Sequence, residues 1–269
     1  MCIMKNILFA GLMLFFSCMK GEAQSGAKKK FPEFPKYTVF SAGDDNVNSY
    51  RIPSLLTAKD GSLLVFCEAR RESWKDKSRT DIVVKRSTDN GRTWSAMQDL
   101  TQGTTDPTPL LDSATGRIFL FTTFWPADDH TGTKNRAILL TSDDNGCTWA
   151  APVDVTGTLM PKGSRIYGFG PGAGLQMVGE KYRGRLILPA RVSEVTGEKA
   201  HDVAIYSDNH GKTWKMGGNG DNDDEFQIAE SPSGVLVYNA RVPKARMVSF
   251  SVDGGETWSK AVKELALPG

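Results

Sequence analysis

The sequence predicts an all-β fold of the β-propeller class, and three observations carry that expectation. An eight-residue phrase of pattern S-x-D-x-G-x-T-W occurs four times, starting at Ser87, Ser142, Ser207 and Ser251, with Asn209 replacing Asp in the third copy. Three short apolar segments precede each copy. No segment carries a helical period. Three strands, a turn and residues enough for a fourth strand make a four-stranded antiparallel sheet. Such sheets repeated every 40–60 residues or so are the mark of a propeller. The boxes are spaced 55, 65 and 44 residues apart, so the longer intervals hold loops.

Each box residue type suits a tight turn. Ser hydroxyl and Asp carboxylate accept bonds from nearby backbone N–H groups, Gly takes the positive φ, and Trp folds back as an apolar plug. The strands read in order as follows. Lys36-Tyr37-Thr38-Val39-Phe40 reads as a first strand. Unit one follows as Ser54-Leu55-Leu56, Ser62 to Cys67 and Ile82-Val83-Val84. Unit two is Pro109-Leu110-Leu111, Arg117 to Phe121 and Ala137 to Leu140. Unit three is Gly174 to Val178, Arg185 to Leu188 and Val203 to Tyr206. Unit four is Phe226-Gln227-Ile228, Gly234 to Tyr238 and Met247 to Phe250.

Bulk composition narrows the function. A net charge of +2 and no basic run longer than Lys28-Lys29-Lys30 give no nucleic-acid stripe. No apolar run after the N-terminus is long enough to cross a bilayer. Residues 1–23 read as a signal peptide: Lys5, an apolar run from Ile7 to Phe16, then small residues at Gly21-Glu22-Ala23. A polar linker occupies 24–35, and the propeller domain 36–269. The protein is therefore expected to be exported, periplasmic or secreted. Cys18 raises the alternative of a lipid anchor, but the residues before it fit a lipoprotein signal poorly. With Cys2 and Cys18 in the leader, Cys67 and Cys147 remain as two free thiols. His130, His201 and His210 lack metal-ligand spacing, so no metal and no cofactor is assigned.

Strand direction then sorts the loops. All four boxes follow a third strand and share one face. Residues before a first strand, after a second strand, and between strands two and three share the opposite face. That opposite face collects Arg51, Asp106 and Glu225 before first strands, and Arg70-Arg71, Trp125, Arg191 and Arg241 after second strands. Asp76 lies in the loop after Arg70. One such arginine is an ordinary solvated strand end; their coincidence across units points to a ligand or to pairing, because desolvated charge is costly. In Tyr50-Arg51-Ile52-Pro53, Pro53 is expected to hold Ile52 extended.

From about Val39 onward the chain resembles the exo-α-sialidases, six-bladed propellers with Asp boxes. The carrying residues are Arg51-Ile52-Pro53, Phe66-Cys67-Glu68-Ala69-Arg70 with an Asp six residues on, and Ile82 to Trp94. Asp106-Pro107-Thr108, Gly170-Pro171-Gly172-Ala173-Gly174 and Asn239-Ala240-Arg241 add to them. The resemblance implies roles. Arg51 and Arg241 would clamp the substrate carboxylate, since a guanidinium fork matches both of its oxygens. Asp76 would be the general acid/base. Arg70 and Asp106 would bind sugar hydroxyl or amide groups, with an internal ion pair as the open alternative. Glu225, rather than Glu230 at the far end of its strand, would polarise a tyrosine nucleophile. A neutral tyrosine suits an anomeric carbon bearing a carboxylate, where an anionic nucleophile is repelled. The partners implied are sialylated glycoproteins, glycolipids and oligosaccharides. The third arginine and the tyrosine are expected beyond residue 269, so the chain reads as truncated and is expected to show no turnover by itself. A propeller glycosidase for another sugar and a non-catalytic carbohydrate-binding propeller stay open as rivals.

Overall fold

A computed structural model describes residues 35–267 apart from 77, 127, 130, 195–199, 222 and 223. The leader, the linker up to residue 34, Cys2, Cys18 and His130 therefore lie outside the described residues. Within them the chain forms four antiparallel sheets, the blades of an all-β propeller. Blade 1 is β1 (Ser49–Thr57), β2 (Leu63–Arg70), β3 (Thr80–Ser87) and β4 (Gln98–Gln102). Blade 2 is β5 (Thr104–Leu111), β6 (Ile118–Phe124), β7 (Arg136–Ser142) and β8 (Val153–Asp154). Blade 3 comprises β9 (Ser164–Phe169), β10 (Leu175–Gln176), β11 (Leu186–Glu194), β12 (Ala200–Ser207) and β13 (Lys215–Asn219). Blade 4 is β14 (Phe226–Glu230), β15 (Leu236–Val242), β16 (Ala245–Ser251) and β17 (Val262–Glu264). The one α-helical turn, α1 (Thr156–Leu159), sits in the blade 2–3 connection.

Side-chain alternation along the strands builds the core between blades. On β2, Leu64 and Phe66 face Ile118 and Leu120 of β6. The intervening β6 residues Phe119 and Phe121 face the other way, onto Ile166, Phe169 and Leu188 of blade 3. On β11, Ile187 faces Phe226 and Tyr238 of blade 4. The middle strands β6 and β11 are thus buried on both faces along nearly their whole length, whereas β15 is buried only at alternate residues.

The boxes close this packing on one face. In box 2, Ser142 Oγ accepts the Gly146 N–H (2.9 Å), and the Asp144 carboxylate accepts Thr148 N (2.9 Å) and Thr148 Oγ1 (2.5 Å). These bonds, led by the Thr148 hydroxyl, lower Asp144 to about 2. Two box tryptophans pack on the preceding blade, Trp149 edge-on to Phe66 at 5.6 Å and Trp214 edge-on to Phe121 at 5.2 Å, while Trp258 packs on Tyr238 of its own blade at 5.6 Å. Polar staples follow the same rule. Arg86 Nε of blade 1 donates to Asn145 O in box 2 (3.0 Å), and Asp112 of blade 2 meets His210 in box 3 (2.9 Å). Arg185 of blade 3 donates to Gly254 O in box 4 (3.0 Å).

Three sequence expectations are corrected. Residues 36–40 form no strand; Phe40 instead packs on Tyr50 (4.7 Å), and Lys85 Nζ caps Val39 O (3.1 Å). A strand needs a ladder partner, and none of the described residues supplies one. The inner strand of blade 3 is not a single segment at 174–178. It is split into β9 and β10, which pair with opposite ends of β11. Pro171 has no N–H to donate, and Gly170 and Gly172 take φ of 48° and 126°, so the ladder breaks there. Ile52 is not extended but has φ 51°. Ile52 and Pro53 both lie opposite Cys67 in a β-bulge, where the register jumps between Arg51 and Ser54. Blade 2 repeats the device: Asp106 has φ 58° before Pro107, at a jump between Thr105 and Thr108.

Candidate active site

The face opposite the boxes holds an open cavity of about 540 Å³. Its lining includes Arg51, Arg70, Asp76, Asp106, Glu225 and Arg241, contributed by blades 1, 2 and 4, together with Arg191 of blade 3. The two bulges contribute directly, since Ile52 and Asp106, the residues at positive φ, both line the wall. A bulge turns one inner-strand side chain out of the pleat and aims it at the axis. Cys67 braces the first bulge, its thiol donating to Arg51 O (2.9 Å); burial pushes that thiol up to about 12, so it stays protonated.

At the blade 1 wall, Arg70 is 4% exposed and acts as a hub. Its Nε and Nη2 donate to Glu68 Oε2 (2.9 and 2.8 Å), and its Nη1 donates to Asp76 Oδ1 (2.7 Å). Arg51 Nη1 stands 3.6 Å from the same Asp76 oxygen. Asp76 is thus held between two guanidiniums while its side chain remains 80% exposed to the cavity mouth. Arg71, the next residue in chain, turns away to Asp81 (2.9 Å) and Asp99 and does not line the cavity.

Glu68 was not singled out by the sequence reading, and the structure makes it the floor. Its second oxygen accepts from the Thr105 hydroxyl and from Asp106 N (3.0 Å), tying blade 1 to blade 2 beneath the cavity. The available signal was a carboxylate within the apolar β2 run, which is costly unless several donors meet it. Asp106 itself points at Arg191 Nη2 (3.4 Å), which lies over the Tyr167 ring at 5.5 Å. Trp125, which lines the cavity, stands edge-on to that ring (5.4 Å). Burial pushes Asp106 up to about 7; Arg191 opposes the rise, while the nearby Glu68 and Glu225 charges add to it.

Blade 4 supplies the remaining wall. Arg241 Nη1 donates to Glu225 Oε2 (2.7 Å), and its Nε and Nη2 grip Asp224 in a two-point fork (3.1 and 2.9 Å). Asp224 was also missed, because an acidic neighbour in a polar loop carries no sequence signal of its own. Glu230, the alternative to Glu225, lies at the far end of β14 and accepts from Val178 N and Gly179 N, away from the cavity. None of the described residues lining the cavity is a tyrosine. Among the described residues no cluster of His, Cys, Asp and Glu is arranged to hold a metal ion, and no helix is long and apolar enough to cross a membrane.

Residues 101–269 match the BNR repeat-like domain family, and residues 85–96, spanning the first box, match the BNR/Asp-box repeat. A sialidase of Bacteroides fragilis is 30% identical over 250 residues, covering 82% of this chain and 45% of that protein. A sialidase of Micromonospora viridifaciens is 30% identical over 260 residues, 88% of this chain and 40% of its own. The solved structure of the Hadza microbial sialidase Hz136 superposes with a TM-score of 0.74 at 30% identity, over 83% of this chain and 48% of that one. The chain therefore spans about half the length of the curated relatives it matches. On the family match, the four-bladed all-β sheet order and these likenesses together, the chain belongs to the BNR-repeat propellers of the exo-α-sialidase family.

Proposed function

We propose that this chain carries the sialoside-binding and proton-transferring part of an exported exo-α-sialidase, a glycoside hydrolase releasing terminal sialic acid from glycoproteins, glycolipids and oligosaccharides. The observation that carries the reading is the convergence of Arg51, Asp76, Glu225 and Arg241 on one cavity from strand ends far apart in sequence. The sugar carboxylate bonds Arg51 and Arg241. At Arg241 it takes the Nη1 edge now held by Glu225, while Asp224 keeps its grip on Nε and Nη2. Glu225, displaced, is then free to accept the proton of a tyrosine hydroxyl, whose oxygen attacks the anomeric carbon. Asp76, at the cavity mouth, gives its proton to the glycosidic oxygen as the bond to the anomeric carbon breaks and its electron pair passes to that oxygen. In the second half-reaction Asp76 takes a proton from water, water displaces the tyrosine with net retention, and Glu225 returns its proton to the departing phenolate. Arg70 and Asp106 line the ring-binding wall, Arg70 holding Asp76 in place.

The test is hydrolysis of a fluorogenic sialoside by the purified gene product as the cell makes it. Asp76→Ala is expected to lower kcat by about 10²–10⁴, and Arg51→Lys to raise KM by removing the two-point fork. Undiminished turnover in Asp76→Ala would overturn the reading.

A further inference from the structure

Of the six tryptophans, four close boxes, Trp125 lines the cavity, and Trp74 stands apart at 66% exposed. A single exposed apolar residue is ordinary on a protein surface. Trp74 differs in how its backbone is held. Arg70 Nη1 donates to Trp74 O (2.7 Å) and to Asp76 Oδ1 (2.7 Å), so one buried guanidinium fixes both residues. The described residues on either side are held as well. Arg71 N bonds Arg79 O (3.0 Å), Ser73 N bonds Ser78 Oγ (3.1 Å), and Ser78 N bonds Lys75 O (3.0 Å). One residue of chain, Lys75, separates Trp74 from Asp76, a Cα span of at most about 7 Å. The loop therefore presents an indole to solvent at a set distance from the carboxylate at the cavity mouth.

We propose that Trp74 is the platform on which the leaving sugar of the substrate stacks. The inference rests on the sialidase reading above, in which Asp76 protonates the glycosidic oxygen. The group released at that oxygen must lie within proton-transfer reach of Asp76 and on its solvent side, because the sialic acid ring fills the cavity. A neutral pyranose offers an apolar face of C–H bonds, whose slight positive charge suits the negative face of an indole. An anionic sugar there would meet that negative face unfavourably, so the platform selects a neutral leaving sugar. Trp74 thereby acts on specificity and not on bond cleavage.

The experiment uses the gene product, Trp74→Ala and Trp74→Phe, with sialyllactose, methyl α-sialoside and an α2,8-linked disialyl substrate. In Trp74→Ala, kcat/KM for sialyllactose is expected to fall about five- to tenfold, mainly through KM, with the methyl sialoside changed less than about twofold. Trp74→Phe restores most of the loss. An equal fall for both substrates means that Trp74 only supports the loop, and no fall for either means that it touches nothing; both overturn the proposal. A loss confined to the disialyl substrate overturns the assignment of a neutral sugar. Where the wild type hydrolyses no sialoside, the outcome expected of residues 1–269 by themselves, turnover does not bear on Trp74. Lactose titrated against intrinsic fluorescence then decides on Trp74 separately, a saturable change lost in Trp74→Ala being expected and a change absent from the wild type or kept in the variant overturning it.

Discussion

At the scale of single residues, two carboxylates carry opposite pH signatures. Asp106 is only 13% exposed, and burial raises it to about 7. A carboxyl raised in the folded state binds its proton more tightly there than in the unfolded chain. Stability is therefore greatest below about pH 4 as far as this group is concerned, and falls as pH rises from about 4 through 7. Asp106→Asn is expected to flatten that decline, of about 2–4 kcal/mol, in urea midpoints measured across the window. Asp144 is the reverse case, held at about 2 by Thr148 and Ser142. Its contribution is present at neutral pH and is lost as pH falls from about 4 through 2. The third box shows the neutral alternative, where Asn209 accepts Thr213 N (2.9 Å) and donates to Thr213 Oγ1 (2.8 Å). Asp144→Asn is thus expected to keep the box folded at pH 7 and to unfold less readily than wild type below pH 4, read by acid titration of tryptophan fluorescence.

At the scale of the element, the box is a wedge between blades. Gly91, Gly146 and Gly211 share nearly the same left-handed φ, 79°, 78° and 75°. A methyl on Gly91 would touch only its own blade, at Trp94 (3.4 Å) and Leu63 (3.6 Å). On Gly146 it would overlap Leu64 of the preceding blade, and on Gly211 it would overlap Phe119. Alanine at any of the three costs about 1–2 kcal/mol of backbone strain. Gly146→Ala and Gly211→Ala are expected to lose about 1–3 kcal/mol more than Gly91→Ala, because the overlapped side chains sit in closed cores. Equal losses in equilibrium urea unfolding would show that the box is a turn and no more.

At the scale of the whole molecule, the segment Gly170-Pro171-Gly172-Ala173-Gly174 is where the blades meet. Ser54 Oγ of blade 1 donates to Gly172 O (2.9 Å), and Gly174 N donates to Pro109 O of blade 2 (2.9 Å). Gln227 of blade 4 donates to Pro171 O, and a methyl on Gly172 would overlap that Gln227 side chain. Gly172→Ala is therefore expected to cost about 2–4 kcal/mol, strain and displaced packing together. Gly163→Ala is the control, with φ 88° and nothing within 4 Å of the added carbon, and is expected to cost the strain alone. Because Gln227 follows Glu225 by two residues, the Gly172 variant is also expected to weaken ligand binding at the cavity, whereas the control is not.

The sequence by itself determined the four blades, the strand that precedes each box and the sorting of loops between two faces. Those follow from local periodicities: alternation along strands, and a box whose Ser, Asp, Gly, Thr and Trp each satisfy one turn contact. It also indicated Arg51, Arg70, Asp76, Asp106, Glu225 and Arg241 as neighbours, because strand direction alone brings blade ends to one face. Only the tertiary structure decided what each of them touches. That Glu68 is the floor, that Asp224 shares Arg241 with Glu225, and that Ile52 and Asp106 sit at positive φ all depend on contacts between blades. Such contacts join residues as far apart as Glu68 and Asp106, and a desolvated charge takes its partner from whatever the neighbouring blade presents. The same holds for residues 36–40, which carry a strand-like pattern and remain unpaired among the described residues, since a ladder is a property of two segments and never of one.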